Sequence, residues 1–150
     1  MAGATVFTAP DDGRVLGLLV PADFDDFDGY VPHDGARAYI TDAELPLQIN
    51  VITGPPGYRS VAHIHPPLPQ PTLPTRHTAV VAVTGAIRVH LGTADGTPVA
   101  SVDLRAGDIV LCAEGHQLEL LSPGARLLEI KQGPYPGSQE ADRDQISDLV

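Results

Sequence analysis

Residues 79–91 read Ala79-Val-Val-Ala-Val-Thr-Gly85-Ala-Ile-Arg-Val-His-Leu91. Two runs rich in β-branched residues flank Thr84-Gly85, a pair that supplies the positive backbone angle of a tight turn. In the second run alternation puts Ile87, Val89 and Leu91 on one face and Arg88 and His90 on the other. This is a strand, a turn and a half-buried strand, and it sets His90 on the side expected to face solvent.

The same grammar extends in both directions. Short segments rich in Val, Ile and Leu recur every 8 to 12 residues or so between Gly, Pro and Asp, which is the pattern of an all-β domain. Strands are expected at 14–20, 47–53, 59–65, 79–83, 86–91, 99–104, 108–111, 116–121 and 126–130. Asp95-Gly96, Ala106-Gly107-Asp108 and Ser122-Pro123-Gly124 supply further turns. One short polar helix is expected at 138–149, where a serine precedes an acidic first turn.

The 150 residues suit one domain, 1–150. Charge divides it unevenly. Residues 1–44 carry nine acids and two bases, residues 45–135 six of each, and residues 136–150 four acids and one base. The reading is an acidic arm, a neutral core and an acidic tail, with the charge runs solvated and Phe24, Phe27 and Tyr30 packing the arm somewhere. The spacing of Asp23, Asp25, Asp26 and Asp28 fits no calcium loop. A net charge of -10 disfavours nucleic acid and anionic lipid, which clustered Lys and Arg would grip. No apolar run approaches the roughly 20 residues of a membrane helix. Cys112 is the only cysteine, and the start lacks the pattern of a secretory signal, so a cytoplasmic protein is expected. Cys112 itself is expected to be a buried small apolar residue. Glu114 and Glu119 are expected to be solvated, Glu119 alternating away from the face of His116.

The chemistry lies in the histidines. His63 and His65 stand two apart on an expected strand, so both imidazoles share a face. His77 follows a stiff, proline-rich segment, 65–74, that is either a surface connector or a wall over a site. His116 opens a strand whose same face carries Leu118 and Leu120. Strand pairing can bring the four together. At this point the sequence resembles the cupin family of small β-barrel metalloproteins. Gly57, His63, His65 and Gly85 match its first motif, with Thr78 where a glutamate is usual and His77 beside it. Gly107 and Gly115 match its second motif, with Ala113 in place of a proline and His116 two residues early.

The resemblance spans residues 45–135 and implies a double-stranded β-helix, that is, a jelly-roll barrel or β-sandwich. It implies that His63, His65, His77 and His116 hold one divalent transition metal, His77 needing a one-residue register shift or bulge to turn inward, with His63, His65 and His116 as a facial triad in the alternative. Zinc is the leading assignment, with iron, nickel, copper or manganese as alternatives. Its interior would be lined by Val, Ile, Leu and Ala and would favour an apolar or aromatic small molecule. Within the family, four histidines without the glutamate resemble the metal-dependent polyketide cyclases of aromatic polyketide biosynthesis, which close rings by aldol chemistry. Tyr58, Arg59, Arg76 and Gln117 lie near the motifs and are the candidate acids and bases. The alternatives are an iron-dependent dioxygenase, a cupin acting on or binding a sugar nucleotide, and a metal-free structural cupin. The resemblance and the need to cover sheet edges imply a homodimer.

Overall fold

The structure is a computed structural model and describes residues 3–26, 36–41, 45–53, 56, 59, 62, 65, 75–132 and 144–150, with residues 36–39 described by their backbone. Among these the chain is all-β. Its strands are β1 (Thr5–Thr8), β2 (Val15–Val20), β3 (Ala36–Tyr39), β4 (Asn50–Thr53), β5 (Thr78–Thr84), β6 (Ile87–Gly92), β7 (Pro98–Leu104), β8 (Ile109–Cys112), β9 (Gly115–Leu120) and β10 (Arg126–Lys131). All pairing is antiparallel, in a five-stranded sheet of order β1-β2-β8-β5-β10, a three-stranded sheet of order β7-β6-β9, and the pair β3-β4. No helix among the described residues is long and apolar enough to cross a membrane.

The two larger sheets pack face to face. In β6 the alternating Ile87, Val89 and Leu91 are fully buried, and they meet Val80, Ala82, Val110 and Cys112 of the five-stranded sheet in one core. The sheets come close at Gly17 of β2, where a Cβ would lie 2.7 Å from Leu91 Cδ1 and 3.0 Å from the Leu111 carbonyl oxygen, so a side chain there would have to displace Leu91. The opposite face of the five-stranded sheet is also buried. Leu18, Val20 and Leu111 are covered there by Phe24, Ile40, Leu45, Leu47, Ile49 and Val51. The acidic first 44 residues thus contribute an interior strand and an apolar cover, while Asp23, Asp25 and Asp26 stay exposed.

Turns stand where glycine was expected to place them. Gly85, Gly96, Gly107 and Gly124 all have positive φ. Beside Gly107, the buried Asp108 accepts N–H bonds from Ala22 and Arg105, each at 2.8 Å, tying the β7–β8 turn to the segment after β2.

Three expectations change. Residues 144–150 contain no helix and are not a loose tail. Leu149 is buried over Gly92, Ile146 packs at Gly115, and the Leu149 N–H donates to Gln117 Oε1 at 2.9 Å. The segment docks Ile146 and Leu149 on the sheet because glycines leave room for them, while Val150 stays exposed. Strands β1 and β3 were not anticipated. Within 59–65, Arg59, Ala62 and His65 are exposed and outside any strand, and the other residues lie outside the described set.

Asp108→Ala removes the buried carboxylate that accepts two part-buried N–H groups, and its unfolding free energy in a urea titration should fall by about 1–3 kcal/mol.

Candidate metal centre

The strand registers decide which side chains can meet. Across the five-stranded sheet, Phe7, Gly17, Cys112, Thr78 and Lys131 pair in one row. Across the three-stranded sheet, Ala100, Leu91 and His116 pair in another. Gly17 touches Leu91, so the two rows face each other across the interior and His116 stands in the row opposite Thr78 and Lys131. His116 therefore shares the inner face with Leu118 and Leu120, as its alternation predicted.

The His116 ring is oriented by its own turn. Nδ1 lies 3.3 Å from the Glu114 carbonyl oxygen, an atom that can only accept. In the neutral ring the proton is then on Nδ1 and the lone pair on Nε2, the arrangement in which a histidine ligates a metal.

His77 reaches the same end of the sandwich. Two residues before it, the Thr75 hydroxyl donates to the Ala113 carbonyl at 2.5 Å, three residues from His116. Gln132 fixes the His77 backbone from both sides, its Oε1 accepting the His77 N–H at 3.0 Å and its own N–H donating to the His77 carbonyl at 3.4 Å. Arg76, exposed, donates from Nη1 to the Gln132 carbonyl at 3.3 Å. The His77 side chain is buried, at 4% exposure, and among the described residues its Nδ1 is the buried side-chain nitrogen or oxygen with no hydrogen-bond partner. Such an atom costs on the order of 1–3 kcal/mol unless something meets it. Thr78, paired with Cys112, is the residue on the inner face, and β5 runs in regular register from Thr78 to Ala82. His77 continues that pairing opposite Gln132, and the one-residue shift or bulge expected to turn it inward is not seen there.

The remaining candidates are distributed differently. His63 and Tyr58 lie outside the described residues. His65 and Arg59 are exposed. Gln117 is on the outer face of β9, where its Oε1 holds Leu149. Among the described residues no three His, Cys, Asp or Glu side chains converge closely enough to hold a metal ion. That set includes His65, His77 and His116 and omits His63.

Two expectations about neighbouring groups are corrected. His90 is buried at 3% exposure, not solvent-facing. Its Nδ1 lies 2.8 Å from Ser101 Oγ and its Nε2 3.3 Å from Glu119 Oε2. Both ring nitrogens are engaged, on the face opposite His116. Glu114 is not solvated. Its carboxylate, 9% exposed, accepts from Arg14 Nε at 2.6 Å and from the Ala94 N–H at 2.9 Å. The hydrogen bond to Glu114, then that to Asp12, raises the Arg14 pKa. This cluster clamps the β1–β2, β6–β7 and β8–β9 turns together beside His116. Cys112 is buried as expected, and burial, with the charge of Glu129 second, pushes its thiol up to about 12, which leaves it an inert packing group.

Comparison of the chain with protein-family models, with curated proteins and with solved structures gives no match.

Burial lowers the His77 pKa below its ordinary 6.5. Below pH 6.5 the unfolded chain takes up a proton that the folded chain refuses, so this group removes stability as pH falls until the folded pKa is reached. In metal-free protein with chelator present, His77→Gln should flatten the decline of unfolding free energy just below pH 6.5. An unchanged slope would contradict the assignment.

Proposed function

We propose that the protein is a small cupin-type metalloenzyme acting on an apolar or aromatic small molecule, with polyketide cyclisation as its reaction class. The observation that supports this reading is the inward-facing His116 ring, whose Nδ1 meets the Glu114 carbonyl and whose Nε2 is left with a lone pair; the buried Nδ1 of His77, which no hydrogen bond meets, is a second nitrogen able to ligate. Imidazoles prepared in this way suit a borderline metal such as zinc. His63 and His65 would complete the set. When bound, such an ion polarises a carbonyl oxygen and stabilises the charge of an enolate. The chain's own contribution is the setting. Val80, Val89, Leu91, Val102 and Val110 pack together in the core between the sheets, and an apolar interior of this kind favours a substrate without phosphate. Glu114 and Gln132 hold the turns from which His116 and His77 project.

Metal analysis after dialysis against zinc should find one ion per chain in the wild type. His116→Ala and the double variant His63→Ala/His65→Ala should lose it, and His77→Ala should bind it 10-fold or more weakly, whereas His90→Ala should keep wild-type content. Undiminished zinc in the double variant would sink the site. Iron with oxygen uptake would turn the reading toward dioxygenation.

The homodimer is assigned to β10, the edge of the five-stranded sheet, which exposes Leu128 and Ile130 on its outer face. Leu128→Arg/Ile130→Arg should elute as a monomer with its fold retained by circular dichroism. A wild type that is already monomeric would remove the proposal.

A further inference from the structure

The outer face of the three-stranded sheet carries a line of polar side chains that the metal centre does not use. Ser101 of β7 and Gln117 of β9 pair with His90 of β6 from either side, and Glu119 lies two residues beyond Gln117 on the same face. Glu119 Oε2 is 3.3 Å from His90 Nε2 and its carboxylate can only accept, so in the neutral ring Nε2 carries the proton and Nδ1 the lone pair. Nδ1 therefore accepts from the Ser101 hydroxyl, whose Oγ is 2.8 Å away. A hydroxyl donating to an imidazole that a carboxylate orients is the arrangement that activates a serine as a nucleophile. Burial divides the group as that chemistry needs. The His90 side chain is 4% exposed, beside the place where Leu149 docks over Gly92 and is held by Gln117, whereas Ser101 is exposed and open to a reagent. Arg88 keeps its guanidinium on Asp103, at 2.6 and 3.0 Å, and stands 4.0 Å from Glu119, leaving that carboxylate to the ring. β7 supplies a further group. Among the described residues it has a strand neighbour on the β6 side alone, so every second N–H along it points away from the sheet, either on Ser101 itself or on Ala100 and Val102. A backbone N–H this near a nucleophile can donate to the oxyanion that forms there.

The geometry points to Ser101 as an acyl-accepting nucleophile, with His90 as its general base and Glu119 as the positioning residue that fixes the His90 tautomer. This site is independent of the metal reading, because His90 and Ser101 lie on the outer face and His116 on the inner one. It is open, at a sheet face beside an edge strand, so its substrate class is a small acyl ester with a good leaving group. Ser101 Oγ bonds to the acyl carbon as its proton passes to His90 Nδ1, and the carbonyl electron pair moves to oxygen. That pair then returns, the bond to the leaving oxygen breaks, and His90 gives the proton to the departing alcohol. Water next attacks the acyl carbon, its proton passing through Nδ1 to Ser101 Oγ as the carboxylic acid leaves. Ester and water are the only reactants.

The full chain, kept free of metal with EDTA and quenched in acid while turning over 4-nitrophenyl acetate, should carry an acetyl group that peptide mass spectrometry places on Ser101. Ser101→Ala should carry none at that position, with its strands retained by circular dichroism. His90→Gln should slow acetylation of Ser101 by on the order of 10²- to 10⁴-fold. Glu119→Gln, at the exposed end of the group, should lower the maximal rate by about 10-fold or more at an unchanged KM, a split that the loss of a merely structural contact would not give. A wild type acetylated on amines alone, with Ser101 unmodified, overturns the proposal, as do equal rates in wild type and in either the His90 or the Glu119 variant. Because EDTA is present throughout, the result stands apart from whether the chain holds zinc.

Discussion

The contact on which the arrangement depends is the close approach of Gly17 to Leu91. A Cβ at position 17 would have to occupy space that Leu91 already fills. The missing carbon lets the row Phe7, Gly17, Cys112, Thr78, Lys131 lie against the row Ala100, Leu91, His116 at the Gly17–Leu91 contact. Cores pack at crystal-like density and transmit small changes. A side chain at 17 would have to displace the buried Leu91 and would press on the Leu111 carbonyl.

Partnership, more than residue type, separates the histidines. His90 has both nitrogens engaged by Ser101 and Glu119 and serves as a cross-strand link. His116 has one nitrogen committed to a carbonyl and the other left with its lone pair. His77 is buried with Nδ1 unmet and its backbone gripped by Gln132. Around the last two, the Arg14–Glu114 pair and Thr75 fasten three turns to one another. A site needs this kind of support, since ligand positions are only as fixed as the turns that carry them.

Much of the fold was legible because strand periodicity and turn chemistry are local. Ile87, Val89 and Leu91 alternate inward, and Gly85, Gly96, Gly107 and Gly124 turn the chain, as the sequence reading expects. Two strands were missed. β1 is Thr5–Thr8, four residues with exposed Thr5, Val6 and Thr8, too short and too polar for periodicity to mark; β3 is equally short. Alternation also gives a face but not what covers it. His90 was assigned to the outer side correctly, yet that side carries Glu119, Ser101 and the docked segment of Leu149, so the ring is buried. Leu149 was read as part of a polar helix because nothing local announces the glycine slot that receives it. Glu129 could have been placed inward by counting two from Leu127. The pairing of Lys131 with Thr78 and of His116 with Leu91 could not, because it depends on residues far apart in the chain.

The Thr75 hydroxyl meets the Ala113 carbonyl and ties the start of β5 to the β8–β9 turn that carries His116. The central claim is that imidazoles at this end hold a metal ion. X-ray absorption at the zinc edge of zinc-loaded protein tests it most directly. The account predicts a nitrogen shell at about 2.0–2.1 Å with the outer scattering of imidazole rings. A shell at about 2.3 Å characteristic of sulfur, or an oxygen shell with no imidazole scattering, would contradict it.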